Sequence, residues 1–333
     1  MNQKGARRLA RRDDFTALVT HAIPSEGLTE LQARCRVLYP ADGQARFSDE
    51  EVWALLPECD AVLACAAFGA DRIGRAGKLK IISNYGAGYD RVDWAAAASR
   101  GIYVTNIPDS VTEVTAELTL ALILAVRRRI CELDRRMRAP QPEGAFGMGK
   151  YMGRSLIGST LGVVGMGRIG GRVAQMGRSL GMNVVYHNRR PADGEAAWLP
   201  LDELMAISDV VTLHCPLTGE TAGLIGDTQI ARMKPDAIIV NAARGGVMDY
   251  GALLAALRAG KIAGAGLDVF PDEPHLPEGF AALDQVVLTP HVGSNTAEAR
   301  RGMARDAADR ILAVLDGRVP PNVVNGVGGN RDV

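Results

Sequence analysis

The sequence predicts an α/β protein built as two parallel-sheet domains, the second inserted into the first. Strand-like apolar runs alternate with helical patterns along almost the whole chain, the order that a parallel sheet with crossover helices demands. The runs fall into two sets separated by a long helical stretch, and 333 residues make two hydrophobic cores the default. At the head of the second set, Leu161-Gly162-Val163-Val164 leads directly into glycines at 165, 167 and 170.

The first set comprises residues 17–21, 37–39, 61–64, 81–83 and 103–106, with helical patterns at 28–34, 49–55 and 92–99. It reads as a flavodoxin-like sheet of its own. Asp109, Ser110 and Thr112 offer N-cap chemistry for a long helix that the pattern carries to about residue 136. The stretch 139–149 is too rich in proline and glycine to be anything but loop. The second set follows at 160–164, 183–186, 210–214, 237–241, 263–269 and 286–288, with a helical pattern at 172–180 after the glycines. Six strands are the count of a full Rossmann-like domain. Residues 297–315 form a last amphipathic helix, ended by Gly317, Pro320 and Pro321. Because the glycine motif sits in mid-chain, the expected boundaries are 1–108 and 294–333 for one domain and 109–293 for the inserted one.

Composition narrows the function classes. Lysine plus arginine and aspartate plus glutamate both number 38, so nothing in the net charge suggests a nucleic-acid or membrane partner. The longest apolar segment, 118–126, is far too short to span a bilayer. Cysteines at 35, 59, 65, 131 and 215 are odd in number and show no CxxC spacing. They read as small core residues of a reduced, cytoplasmic protein, and no metal site is expected. Residues 1–12 carry Lys4, Arg7, Arg8, Arg11 and Arg12 without an apolar core, which reads as a solvated tail rather than a secretory signal.

The glycine spacing, between a strand and a helix, is the dinucleotide fingerprint. In Gly165-Met166-Gly167-Arg168-Ile169-Gly170, the first glycine permits the tight turn and the second lets a pyrophosphate approach the backbone. The third lets the helix pack closely, with its N-terminal N–H groups aimed at the phosphates. An NAD site places a carboxylate about 20 residues later to accept from the ribose hydroxyls. Here the strand ends Tyr186-His187-Asn188-Arg189-Arg190-Pro191, without a carboxylate. Two arginines after a strand also suit a merely solvated loop. Their guanidinium groups could equally pair with a 2′-phosphate, and NADP(H) is expected ahead of NAD(H).

Three polar residues follow consecutive apolar strands: Arg244, Glu273 and His291. Reduction of a 2-oxo acid needs a cation for the carboxylate and carbonyl and a proton donor for the developing alkoxide. Arginine suits the first task, and a histidine beside a carboxylate suits the second. Singly, each has an ordinary reading as an ion pair, a surface residue or a capped loop histidine. Three at successive strand ends point to chemistry.

At these residues the chain resembles the D-isomer-specific 2-hydroxyacid dehydrogenase family over nearly its whole length. The signatures are Asn84-Tyr85-Gly86-Ala87-Gly88-Tyr89-Asp90, the 165–170 fingerprint, His214-Cys215-Pro216-Leu217-Thr218, Met233-Lys234-Pro235, 241–245, 266–274 and 289–293. The resemblance implies that Arg244, Glu273 and His291 are catalytic, with His291 as acid/base and Glu273 favouring its protonated form. It implies that Ala87 and Gly88, with Arg244 and His291, bind the substrate through backbone N–H groups and side chains respectively. It also implies that Asp268 and the Ala242 carbonyl orient the nicotinamide amide. Further cofactor contacts are implied for Asn188, His214, Cys215, Pro216, Thr218, Thr221, Arg244, His291 and Gly293. Residues 186–191 and 273–278 look most like NADPH-dependent glyoxylate/hydroxypyruvate reductases. The loop 139–150 lacks the tryptophan usual there, and Cys65-Ala66-Ala67-Phe68-Gly69 departs from the usual substrate loop.

The expected partner is a small 2-oxo or 2-hydroxy acid, and the expected assembly is a homodimer, for which the helix at 111–129 is a candidate surface. Formate dehydrogenases resemble this chain in fold but pair Gln with His where it has Glu273 and His291. Phosphite dehydrogenases share a similar triad and favour NAD. A dinucleotide-sensing corepressor would bind cofactor without turning over a 2-oxo acid.

Overall fold

The computed structural model describes residues 12–138, 147–191 and 196–329. They form two compact units, one of residues up to Val111 together with those from Asn295, the other Thr112–Ser294. Residues 1–11 of the basic tail and 139–146 of the expected loop lie outside the described residues. Arg12, expected in the tail, instead opens the first strand.

The first unit has strands β1 (Arg12–Val19), β2 (Cys35–Leu38), β3 (Ala61–Ala64), β4 (Ile81–Asn84) and β5 (Tyr103–Thr105). They form one parallel sheet in the order β2-β1-β3-β4-β5, the flavodoxin-like order. β1 starts five residues before the expected run because Arg12 pairs with Cys35 on the edge strand, which a charged stretch does not advertise. One face is covered by the C-terminal helix Ala297–Leu315, whose bounds match the sequence pattern. Ala304, Ala307 and Ile311 are fully buried there, and a Cβ on Gly27 would lie 2.5 Å from that of Ala304. Small residues are what allow this close approach. The Ser83 hydroxyl donates to the Ala307 carbonyl, and Arg34 pairs with Asp316 at 2.6 Å, so the helix is tied at two levels.

The second unit contains β6 (Thr160–Val164), β7 (Asn183–His187), β8 (Ala197–Trp198), β9 (Val210–Leu213), β10 (Ile238–Asn241), β11 (Gly264–Leu267) and β12 (Val286–Leu288). All are parallel, in the order β12-β11-β10-β9-β6-β7-β8, a Rossmann order with one further strand beside β11. Seven strands replace the expected six because β8 has two residues, too few to leave a periodic signal. The Trp198 indole N–H donates to the Asn188 carbonyl and holds β8 at the edge. Apolar clusters fill both faces of the sheet, around Leu213, Ile239 and Leu267 on one and Leu161, Val163 and Val240 on the other.

The expected helix from 109 to about 136 divides into Asp109–Arg127 and Ile130–Met137. Arg129 between them has φ +56°, and the Arg154 N–H takes the Arg127 carbonyl from outside the helix. A backbone group supplied by a distant segment ends the helix, so the local pattern did not show the break. Among the described residues, no helix is long and apolar enough to cross a membrane.

Candidate active site

With every strand of the second sheet parallel, the segments that follow strand ends collect along one edge. Beyond β6 the chain turns at Gly165, with φ +99°. A Cβ there would lie 2.5 Å from the Cys215 backbone nitrogen, so glycine alone lets the turn pass beside the end of β9. A Cβ on Gly170 would fall 2.1 Å from the Gly165 oxygen, which is how the helix Arg168–Ser179 presses against the turn. At Gly167 a Cβ would meet nothing within 4 Å. The turn, the open approach and the tightly seated helix N-terminus with Arg168 and Ile169 fit a dinucleotide pyrophosphate.

The two strands flanking β6 supply the next contacts. The Met166 N–H donates to the Asn188 side-chain oxygen at 2.7 Å, fixing the end of β7 to the glycine turn. Arg189 and Arg190 follow, both exposed, and Arg189 pairs with Glu220 at 2.9 Å. After β9, His214 shares a 2.9 Å hydrogen bond between Nε2 and the Thr212 hydroxyl, while its buried Nδ1 has no partner. Burial pulls its pKa down to about 3, so the imidazole is neutral. Burial pushes the Cys215 thiol up to about 11 and the Cys65 thiol to about 12, so neither is a ready nucleophile. The Thr221 hydroxyl donates to the Pro216 carbonyl and accepts from the Thr218 N–H, closing the turn on itself.

At the end of β10, the fully buried Asn241 curls the chain, accepting from the Ala243 N–H and donating to the Arg244 carbonyl, both at 3.0 Å. That curl carries Ala242 and aims Arg244, whose guanidinium also donates to the Ala243 carbonyl at 2.7 Å. Beyond β11, Asp268 is 1% exposed. Its Oδ1 accepts from the Thr289 hydroxyl and the Val292 N–H, and its Oδ2 from the Gly293 N–H. Its carbonyl accepts from the His291 N–H at 2.8 Å. His291 has φ +52°, a left-handed conformation costing a non-glycine residue about 1–2 kcal/mol. Four hydrogen bonds from the 289–293 turn to Asp268 hold it there.

Glu273 accepts from the Phe270 N–H through Oε1 at 3.2 Å and meets His291 Nδ1 through Oε2 at 2.9 Å. The carboxylate is mostly buried and the imidazole nearly half exposed. With Nδ1 engaged, Nε2 is the nitrogen that can exchange a proton with a ligand. A cavity of about 340 Å³ opens beside the pair, lined by Phe270, Pro274, Leu276, Leu288 and Pro290.

The structure therefore gathers Ala242, Arg244, Asp268, Glu273, His291 and Gly293 on three neighbouring strand ends, with the fingerprint and Asn188 on the same edge. Ala87 and Gly88 belong to the first unit, just after β4. There Asn84 donates to the Gly86 and Gly88 carbonyls and Asn106 to the Ala87 carbonyl at 2.7 Å. In a trans peptide the N–H points opposite its carbonyl, so these asparagines turn the Ala87 and Gly88 N–H groups away from themselves. Sequence reasoning gave no role to Asn84, Asn106, Asn241, Gly245 or Tyr250, whose hydroxyl donates to the Val269 carbonyl. A polar Asn241 closing Ile238-Ile239-Val240 was the available signal. Among the described residues, no group of three His, Cys, Asp or Glu side chains could hold a metal ion.

Residues 120–293 match the family described as D-isomer specific 2-hydroxyacid dehydrogenase, NAD binding domain. The chain is 40% identical to the glyoxylate reductase of Thermococcus litoralis, over 92% of this chain and 96% of that protein. It is 41% identical to the glyoxylate reductase of Korarchaeum cryptofilum, over 92% and 95% of the two chains. A solved structure of a Thermus thermophilus protein superposes with TM-score 0.86 at 41% identity, over 93% of this chain and 100% of that one. The NADPH-dependent glyoxylate/hydroxypyruvate reductase of Sinorhizobium meliloti, solved with NADP and malonate, superposes with TM-score 0.86 at 30% identity, over 96% and 99%. The chain belongs to the D-isomer-specific 2-hydroxyacid dehydrogenase family and is an NAD(P)-dependent dehydrogenase.

Proposed function

We propose that this dehydrogenase reduces a small 2-oxo acid, glyoxylate or hydroxypyruvate first among them, to the D-2-hydroxy acid, with NADPH preferred over NADH. The observation that carries the reading is the 2.9 Å contact between Glu273 and His291, with Arg244 on the adjacent strand end. When bound, the reduced nicotinamide supplies the hydride that adds to the carbonyl carbon. Arg244 holds the substrate carboxylate and polarises the carbonyl. His291 delivers the proton from Nε2 to the carbonyl oxygen as the alkoxide develops, and Glu273 offsets the positive charge the imidazole carries beforehand. Asp268 keeps the His291 turn in register.

The preference for NADPH rests on Arg189 and Arg190 and on the missing carboxylate at the end of β7. A homodimer is supported by the exposed apolar side chains Met148, Met152, Ile157 and Leu180 of the second unit, which a second copy would cover. Five free cysteines suit the reducing cytoplasm proposed for it.

A panel of 2-oxo acids, followed by NADPH and NADH oxidation at 340 nm, tests the reading. His291→Asn, which tolerates the left-handed backbone, is expected to lower kcat by about 10²–10⁴-fold while leaving NADPH affinity within a few-fold. Undiminished turnover by that variant would overturn the assignment. Tight cofactor binding by the wild type without turnover of any 2-oxo acid would favour the sensor instead.

A further inference from the structure

The carboxylate that β7 lacks is present in space. β7 and β9 flank β6, and the segments beyond them reach toward each other across the end of β6, where the glycine turn lies. Arg189 comes from the β7 side and Glu220 from the β9 side, and they meet at 2.9 Å with both side chains largely exposed. Neither backbone is loose. Asn188 is held by the Met166 N–H and the Trp198 indole, and the Glu220 N–H donates to Thr218 within the turn that Thr221 closes. Only side-chain rotation separates the pair.

Resting on the reading that the Arg189–Arg190 segment meets the adenosine ribose, we propose that Glu220 is a specificity-determining residue that opposes the 2′-phosphate. A ribose with a free 2′-hydroxyl can donate to a carboxylate and leave Arg189 paired with Glu220. A 2′-phosphate must take Arg189 away from Glu220 and then bear its charge at close range. Glu220 thereby restrains discrimination, and the enzyme accepts both dinucleotides with NADPH ahead.

The test is direct titration calorimetry of NADPH, NADH and 2′,5′-ADP with the full-length wild type, Glu220→Gln, and the Arg189→Ala/Arg190→Ala double variant. An exposed pair contributes little to folding, so melting temperatures should stay unchanged. Glu220→Gln is expected to tighten NADPH and 2′,5′-ADP by about 3–10-fold and to leave NADH equal or weaker, a difference that shrinks at high salt. If Glu220→Gln moves neither dissociation constant by twofold while the arginine variant weakens NADPH, the role of Glu220 is wrong and the arginine reading survives. Weaker NADPH binding by Glu220→Gln also overturns it, since Glu220 would then be positioning Arg189. An unchanged NADPH-to-NADH ratio in both variants removes both readings.

Discussion

Gly245 stands against Phe270 so closely that a Cβ on it would fall 2.1 Å from the Phe270 carbonyl carbon. The contact joins the segment carrying Arg244 to the one carrying Glu273. It fixes the guanidinium and the carboxylate relative to each other through backbone rather than through long side chains. Tyr250, buried below, adds a hydrogen bond to the Val269 carbonyl.

Gly245→Ala should therefore be costly although it adds one methyl group. Two backbones must separate, and overpacking of this kind costs about 1–3 kcal/mol. The expected outcome is a lower melting temperature together with at least a tenfold loss of kcat/KM for the 2-oxo acid. Wild-type turnover in this variant would show that the alignment of Arg244 with Glu273 does not need the contact.

Asp268 organises the turn of His291 by accepting from Thr289, Val292 and Gly293. Asp268→Asn replaces an acceptor oxygen with a donor facing donors, and an unsatisfied buried group costs about 1–3 kcal/mol. We expect reduced stability in urea and a fall in kcat larger than any change in NADPH affinity. Thr289→Val, removing one donor of the three, should show a smaller version of the same pattern.

His214 predicts a pH dependence of stability. Its folded pKa lies near 3 against 6.5 for the free side chain, because burial penalises the charged imidazole. Its contribution is complete above pH 6.5, since both states are then neutral. Below that the unfolded chain gains a proton that the folded chain refuses, so stability falls as pH drops from 6.5 toward 3, by about 1.4 kcal/mol per pH unit. Urea unfolding at several pH values should show a steeper acid loss for the wild type than for His214→Gln. Parallel profiles would mean that His214 becomes protonated within the fold.

The candidate site was legible to differing depths. Gly165, Gly167 and Gly170 announce their task through spacing, because a tight turn between a strand and a helix is a local requirement. Arg244, Glu273 and His291 were visible as polar residues ending apolar strands. Asn106 was not, because an asparagine is ordinary there until the carbonyl it binds is known, and Asn84 stood in a signature with no role for its side chain. The break at Arg129 was equally hidden, since Arg154 supplies it from outside the helix.

By itself the sequence determined two parallel sheets, the helix 297–315, the glycine turn and the family signatures. The strands and the glycine turn are written in periodicity and turn chemistry over a dozen residues or fewer, and the helix in the repeat along its own 19 residues. Tertiary structure alone decided that Gly245 meets Phe270, that Asp268 holds the His291 turn, and that Glu220 faces Arg189. Those partners are separated by 25, 23 and 31 positions. Strand order and backbone packing bring them together, and no local pattern encodes a neighbour on another strand.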